Sequence, residues 1–174
     1  NTQAALEGYL SAAQSFEKLN LPLYQAQAYA NIAPILAGQG MLDQGRVYLE
    51  RALAIQRKAG NRPAEGATLL NLGALLNDAG KVAESVAAYE SARALFEGLG
   101  DRRSEALALH NLGRSHTEQR RFDEAIRYLG QALALRVSVE DQRGALSSRL
   151  GLGQALSDSG KVAEAIPLLE AGLA

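Results

Sequence analysis

Residues 71–95, NLGALLNDAGKVAESVAAYESARAL, and residues 111–135, NLGRSHTEQRRFDEAIRYLGQALAL, lie over one another when the chain is slid by forty positions, and that register decides the fold. Asn31, Asn71 and Asn111 fall in one column, followed by Ile32, Leu72, Leu112 and Leu152, then by Ala33, Gly73, Gly113 and Gly153. Gly40, Gly80 and Gly160 form another, trailed by Lys81, Arg121 and Lys161 and then by Glu84, Glu124 and Glu164. Ala12, Ala52, Ala92 and Ala132 align as well. Gly60 and Gly100 recur in step, with Asn61, Asp101 and Asp141 in the column that follows.

Glycine at a turn supplies the left-handed backbone that ends a helix, and Asn or Asp then caps the next one. Each repeat is therefore a helical hairpin. First helices are expected at about 22–39, 62–79, 102–119 and 142–159, and second helices at about 42–59, 82–99, 122–139 and 162–173. An unpaired helix over about 3–19 precedes them; its Tyr9, Ala12 and Phe16 match Tyr89, Ala92 and Phe96, so it reads as the second half of an earlier repeat. Leu69, Leu72 and Leu76, with Leu109 and Leu112, form the apolar stripe of an amphipathic helix, which a lone hairpin cannot bury. Stacked neighbours bury it. The expectation is one all-α domain over 1–174: a right-handed solenoid of nine helices, about four and a half repeats, divided near 20, 60, 100 and 140.

Small residues mark close approach between helices: Ala33, Gly73, Gly113 and Gly153 on the first, answered by Ala52, Ala92 and Ala132 on the second. Pro34 and Pro167 fall inside predicted helices and should kink or loosen them by removing one backbone bond each. Pro63 lies in a first turn, where the missing donor costs nothing. The fourth repeat departs from the others. Arg149 takes the apolar column of Tyr29, Leu69 and Leu109, and Gly151 replaces the asparagine. Ile166, Leu169 and Leu173 should be left partly uncovered, which implies a second copy of the chain or further protein over them. The opening Asn1 likewise suggests a piece of something longer.

The two quoted stretches resemble tetratricopeptide repeats of the forty-residue kind found in kinesin-light-chain-like adaptors, polarity adaptors and bacterial regulators. The resemblance covers nearly the whole chain and implies a scaffold for a protein or peptide partner, with the first helices lining a concave surface. It does not extend to chaperone-tail clamps, whose two lysines and flanking arginine are missing.

Composition removes several other classes. Of 174 residues, 18 are Lys or Arg and 19 Asp or Glu, too even a balance to attract nucleic acid or an acidic membrane. There is no cysteine, hence no disulfide, thiolate nucleophile or sulfur-bound zinc. No apolar run approaches the roughly 20 residues needed to span a bilayer, and no signal segment opens the chain; a cytoplasmic location is the default expectation.

Chemistry is sparsely provided for. The two histidines, His110 and His116, fall on roughly opposite faces of one helix, the wrong spacing for a helical metal pair. His116 lies in the column of Leu36, Leu76 and Leu156 and is expected in the core with a satisfied ring nitrogen. The segment LGLGQAL (150–156) has glycines without the strand that a phosphate loop needs. No catalytic group, metal or cofactor is therefore assigned. The clustered Arg102, Arg103, Arg120 and Arg121 are read as solvated surface charge among acids.

The first helices carry the polar residues of interest. By the resemblance, Asn31, Asn71 and Asn111 form a ladder along the groove, where each amide can donate to and accept from an extended backbone; the alternative is that they bond to neighbouring helices and set repeat stacking. Asn77, His110, Arg114 and Gln154 join them as candidate groove residues. His110 and Arg114, four apart, share a face and can receive a carboxylate. Arg114 can equally pair with Glu118. A second functional reading, a ligand- or peptide-sensing module of a bacterial transcriptional or signalling regulator, rests on repeat length and an Arg-, Ala- and Leu-rich composition.

Overall fold

The computed structural model describes residues 2–170. Among them lie nine helices and no strand: α1 (Thr2–Lys18), α2 (Pro22–Gly38), α3 (Leu42–Lys58), α4 (Arg62–Asp78), α5 (Val82–Leu99), α6 (Arg102–Glu118), α7 (Phe122–Ser138), α8 (Gln142–Asp158) and α9 (Val162–Glu170). Each falls within a residue of its expected range, except at the end of α9, where the expected residues 171–173, Leu173 included, lie outside the described residues. The chain is an all-α helical repeat protein. Its tertiary contacts gather into two compact units, Asn1–Ala88 and Tyr89–Ala174.

The helices from α1 to α8 all stop by the same device. A left-handed residue recurs at each twentieth position: Gly40, Gly60, Gly80, Gly100 and Gly160 have φ between 67° and 86°, and Asn20, Arg120 and Glu140 adopt φ of 54°, 60° and 56° without glycine's freedom. The residue that follows donates its amide five residues back, as Lys81 N does to Leu76 O (2.8 Å) and Asp141 N to Arg136 O (2.9 Å), closing the helix with a Schellman bond. The expected caps form. Asn61, Asp101 and Asp141 accept from the amides of Ala64, Ser104 and Gly144 at 3.3, 3.1 and 2.9 Å. Pro34 and Pro167 sit within α2 and α9, and neither helix is interrupted; Pro63 occupies the first turn of α4.

Within each hairpin one pair of small residues sets the approach. A Cβ built on Gly45 would stand 3.2 Å from the Ala33 carbonyl oxygen; Ser85 Oγ donates to Gly73 O at 2.7 Å; a Cβ on Gly153 would stand 3.7 Å from Ala165 O. The small residue facing Ala33, Gly73 and Gly153 is thus the column of Gly45, Ser85 and Ala165, seven positions before the expected alanines. Ala52, Ala92 and Ala132 are buried as expected, and Ala52 shares the core cluster of Ala33. A side chain on Gly113 would meet Leu129 at 2.5 Å, and one on Gly153 would meet Leu169 at 2.7 Å. The glycine changes sides between hairpins: Ala33 with Gly45 in the first, Gly153 with Ala165 in the last.

In the first unit Ala26, Ala30, Ala33, Leu49, Ala52 and Leu75 form the core, backed by Tyr29 and Ile55. In the second, Ala125, Leu129 and Ala155 do so with Ile126 and Leu152. Leu49 and Leu129 are wholly excluded from solvent, and each contributes about 2 kcal/mol of apolar burial. Of the apolar stripe, Leu69, Leu76, Leu109 and Leu112 are buried as its periodicity predicts and Leu72 is half-buried. In α9, Ile166 is 49% exposed, as expected, while Leu169 is half-buried over Gly153.

Stacked hairpins meet with an offset of two from the repeat, so residues 38 apart face one another. Lys81 reaches Asp43 at 3.3 Å in the first unit and Lys161 reaches the equivalent Asp123 at 3.5 Å in the second. These exposed pairs contribute little. The same offset brings Tyr128 OH to Glu90 and, more consequentially, Ser148 to His110.

Candidate functional site

The hairpin geometry leaves an open groove between successive first helices, floored by a leucine of the second. In the first unit it runs between α2 and α4, with a volume of about 300 Å³, over Leu49, and is bordered by Pro34, Ala37, Asn71, Ala74 and Asp78. Two repeats on, the α6–α8 groove has a volume of about 370 Å³ over Leu129 and is bordered by His110, Arg114, Glu118, Ser147, Gly151 and Gln154. Arg114 stands in the column of Pro34, Gln154 in that of Ala74, and Gly151 in that of Asn71. One scaffold position is thus apolar with an amide in one unit and charged in the other.

Of the expected site residues, His110, Arg114 and Gln154 are brought together in the α6–α8 groove, and Asn71 lines the equivalent groove of the first unit. Asn31, Asn77 and Asn111 line neither; all three are half-buried, and Asn31 Oδ1 accepts from Gln27 at 3.2 Å. Gln154 donates to Asp158 at 2.7 Å, and Arg114 lies 3.8 Å from Glu118, both sides of the pair well exposed.

His110 is more enclosed than a groove residue was expected to be: only 8% is exposed. Burial, reinforced by Arg136 and Arg114, lowers its pKa from 6.5 to about 4, so the ring is neutral at physiological pH. Its Nδ1 lies 3.3 Å from Ser148 Oγ, and Ser148 is fully buried. Behind Ser148, Arg136 Nη1 donates to Ser148 Oγ at 2.8 Å and to Gly144 O at 2.6 Å, while its Nε lies 3.9 Å from Asp141 Oδ2. Burial holds the Arg136 guanidinium below its ordinary pKa, though still charged. The sequence reading missed both residues. Arg136 sits in the column of Phe16, Gln56 and Phe96, and a charge there was the available signal.

His116 is in the core as expected, stacked on Tyr128 at 5.3 Å and 8°, and burial and then Arg121 lower its pKa. Its Nδ1 has no hydrogen-bond partner among the described residues, contrary to the expectation of a satisfied ring nitrogen. The leucine column that houses it brings up an aromatic face instead of a polar group. Arg149, in its apolar column, is half-buried and lines a second pocket beside Arg136 and Asp141. Among the expected surface charges, Arg121 pairs with Glu124 at 2.5 Å.

Among the described residues no group of three or more His, Cys, Asp or Glu is placed to hold a metal ion, and no helix is long and apolar enough to cross a membrane.

A family model described as "Tetratricopeptide repeat" matches residues 24–98, 65–138 and 104–174. No protein of curated function matches the chain in sequence. Among solved structures, BtubC (BKLC) from P. vanneervenii is similar at a TM-score of 0.79 and 19% identity, over 87% of this chain and 63% of that one. A Podosopora anserina putative kinesin light chain with nearly identical TPR-like repeats gives 0.80 and 23% identity over 98% and 85%. A Rap protein complexed with Competence and Sporulation Factor gives 0.84 and 18% over 99% and 48%. The chain thus spans less than two thirds of BtubC and about half of the Rap protein.

Proposed function

The chain belongs to the tetratricopeptide repeat family, whose repeats generally mediate protein–protein interaction and are generally non-catalytic, and on that premise we propose that it is a non-enzymatic scaffold holding a protein or peptide segment against its first helices. The observation that carries this reading is the recurrence of one groove at equivalent columns: Asn71 over Leu49 in the first unit, and His110, Arg114 and Gln154 over Leu129 in the second. An apolar floor with a few convergent polar groups is the usual form of a binding groove. Asn71 is exposed and serves the backbone of a bound segment; Arg114 serves its charge.

The test uses a peptide enriched by display against the whole chain. Asn71→Ala with Arg114→Ala weakens its Kd at least tenfold with helicity unchanged, whereas Arg51→Ala on the exposed face of α3 has no effect. Equal losses from both, or none from the groove pair, reject the assignment. A second reading, a sensory module in which a bound factor alters repeat packing, draws support from the Rap protein complexed with Competence and Sporulation Factor. Peptide binding that changes the hydrogen-exchange protection of the helix cores, and not only of the groove, favours it.

A further inference from the structure

Arg136 on α7, Ser148 on α8 and His110 on α6 form a buried line of polar groups that ends at the α6–α8 groove. A guanidinium has donors and no acceptor, so Ser148 Oγ receives a hydrogen from Arg136 Nη1 at 2.8 Å. The serine still has its own hydroxyl hydrogen to place in a fully buried setting. Among the described residues, the acceptor offered to it is His110 Nδ1 at 3.3 Å. A neutral imidazole carries one hydrogen, so a ring that accepts at Nδ1 must carry it on Nε2. The ring lines the groove, and a Cβ built on Gly151 would stand 3.7 Å from Cε1, the carbon that joins Nδ1 to Nε2. The glycine of the fourth repeat, where the preceding repeats have asparagine, thus places no side chain against this end of the ring.

We propose that Arg136 is a positioning residue which, through Ser148, fixes His110 as the Nε2–H tautomer, and that the α6–α8 groove so equipped takes a carboxylate between His110 Nε2–H and the Arg114 guanidinium. The ligand half rests on the groove reading given above; the tautomer half does not. An imidazolium would also donate, but this ring is neutral and would present a lone pair to the groove in its other tautomer, repelling an anion. Arg136 removes that alternative without entering the groove. Glu118, which also borders the groove, lies 3.8 Å from Arg114 with both side chains in solvent, so an incoming carboxylate can replace it there. Gln154 is already committed to Asp158. In the equivalent groove of the first unit Pro34 stands in the column of Arg114 and Ala30 in that of His110, so that groove lacks both carboxylate partners.

The test reads the His110 ring nitrogens by two-bond proton–nitrogen correlation, assigned with His110→Leu, in the free full chain. Wild type shows hydrogen on Nε2 and none on Nδ1. Ser148→Ala, which fits because Ala28 and Ala108 occupy its column, populates both tautomers; Arg136→Gln, which borrows the glutamine that Gln56 places in the same column, shifts the balance the same way, and Arg136→Lys restores it. Three blocked compounds are then titrated: N-acetylaspartate methylamide for a side-chain carboxylate, N-acetylglycine for a chain-terminal one, and N-acetylglycinamide as neutral control. Either acid alone moves the His110 Nε2 and Arg114 Nε signals in wild type, identifying the source, and does so at least threefold more weakly in Ser148→Ala. Hydrogen on Nδ1 in wild type, or a tautomer unchanged in both Ser148→Ala and Arg136→Gln, overturns the relay. A correct tautomer with no response to either acid, or an equal response to the neutral control, overturns the carboxylate assignment and leaves the relay standing.

Discussion

Acidification from pH 8 to pH 5 withdraws stability through His110, and the size of the loss follows from its surroundings. The native ring titrates at about 4, against an ordinary value of 6.5, because burial and then Arg136 and Arg114 disfavour the imidazolium. With its folded pKa depressed, His110 leaves stability intact above 6.5; below that the unfolded chain takes up a proton that the native one refuses, and the loss grows until pH falls to about 4. At pH 5 the unfolded state is about 1.5 pH units below its titration point, equivalent to about 2 kcal/mol; solvent reaching the groove edge of the ring trims this to about 1–2 kcal/mol. The groups facing the ring are Arg114 on its own helix, Arg136 from α7 and Ser148 from α8, and neither arginine changes charge in this range. Urea unfolding at pH 8, 6 and 5 measures the effect on wild type and on His110→Leu, a change suggested by Leu70 and Leu150 in the same column. The variant should lose about 1–2 kcal/mol less than wild type between pH 8 and 5. Glu105, whose carboxyl burial raises, responds in the opposite sense but equally in both proteins. His116→Leu removes a smaller, separate part. Parallel pH curves for wild type and His110→Leu, or a His110 titration near 6.5 by NMR, would show that the buried ring carries no such penalty.

Gly113→Ala forces a methyl against Leu129 and should cost about 1–3 kcal/mol; adding Ala125→Gly, which recreates the arrangement of Ala33 with Gly45, should recover part of it in a thermal-melt double-mutant cycle. Arg120→Gly and Glu140→Gly relieve left-handed backbone at φ of 60° and 56°, and each should raise stability by up to about 1 kcal/mol once glycine's own entropy is subtracted; unchanged or lowered melting temperatures contradict this. Asp101→Ala removes the bond to the Ser104 amide and should cost about 1 kcal/mol in urea unfolding, against a few tenths for Asp101→Gly.

The helices were legible because both of their ends are written in the chain: glycine at 40, 60, 80, 100 and 160 stops them, and Asn61, Asp101 and Asp141 start them. Arg120 and Glu140 fill the same left-handed slots without glycine, and only the register located those ends. The floor of each groove was not legible, because Leu49 and Leu129 look like any other core leucine until the hairpin closes over them. The asparagine column is plain in the sequence, but which of its members border a groove is not: Asn71 borders the α2–α4 groove, and Asn31 Oδ1 accepts from Gln27. The contact of His110 with Ser148 spans 38 residues, a consequence of the two-residue stacking offset, and that of Arg136 with Ser148 crosses the turn from one repeat to the next, so no single repeat displays either.

The central claim, that the first helices hold a partner segment, is tested most directly by mapping a display-selected peptide onto the intact chain through cross-saturation of its amide signals. Saturation transfer is expected to α2 and α4 around Asn71, or to α6 and α8 around Arg114 and Gln154, with the outer faces of α3 and α7 silent. Transfer concentrated on Arg51, Arg127 and their neighbours, with the grooves unaffected, would contradict it.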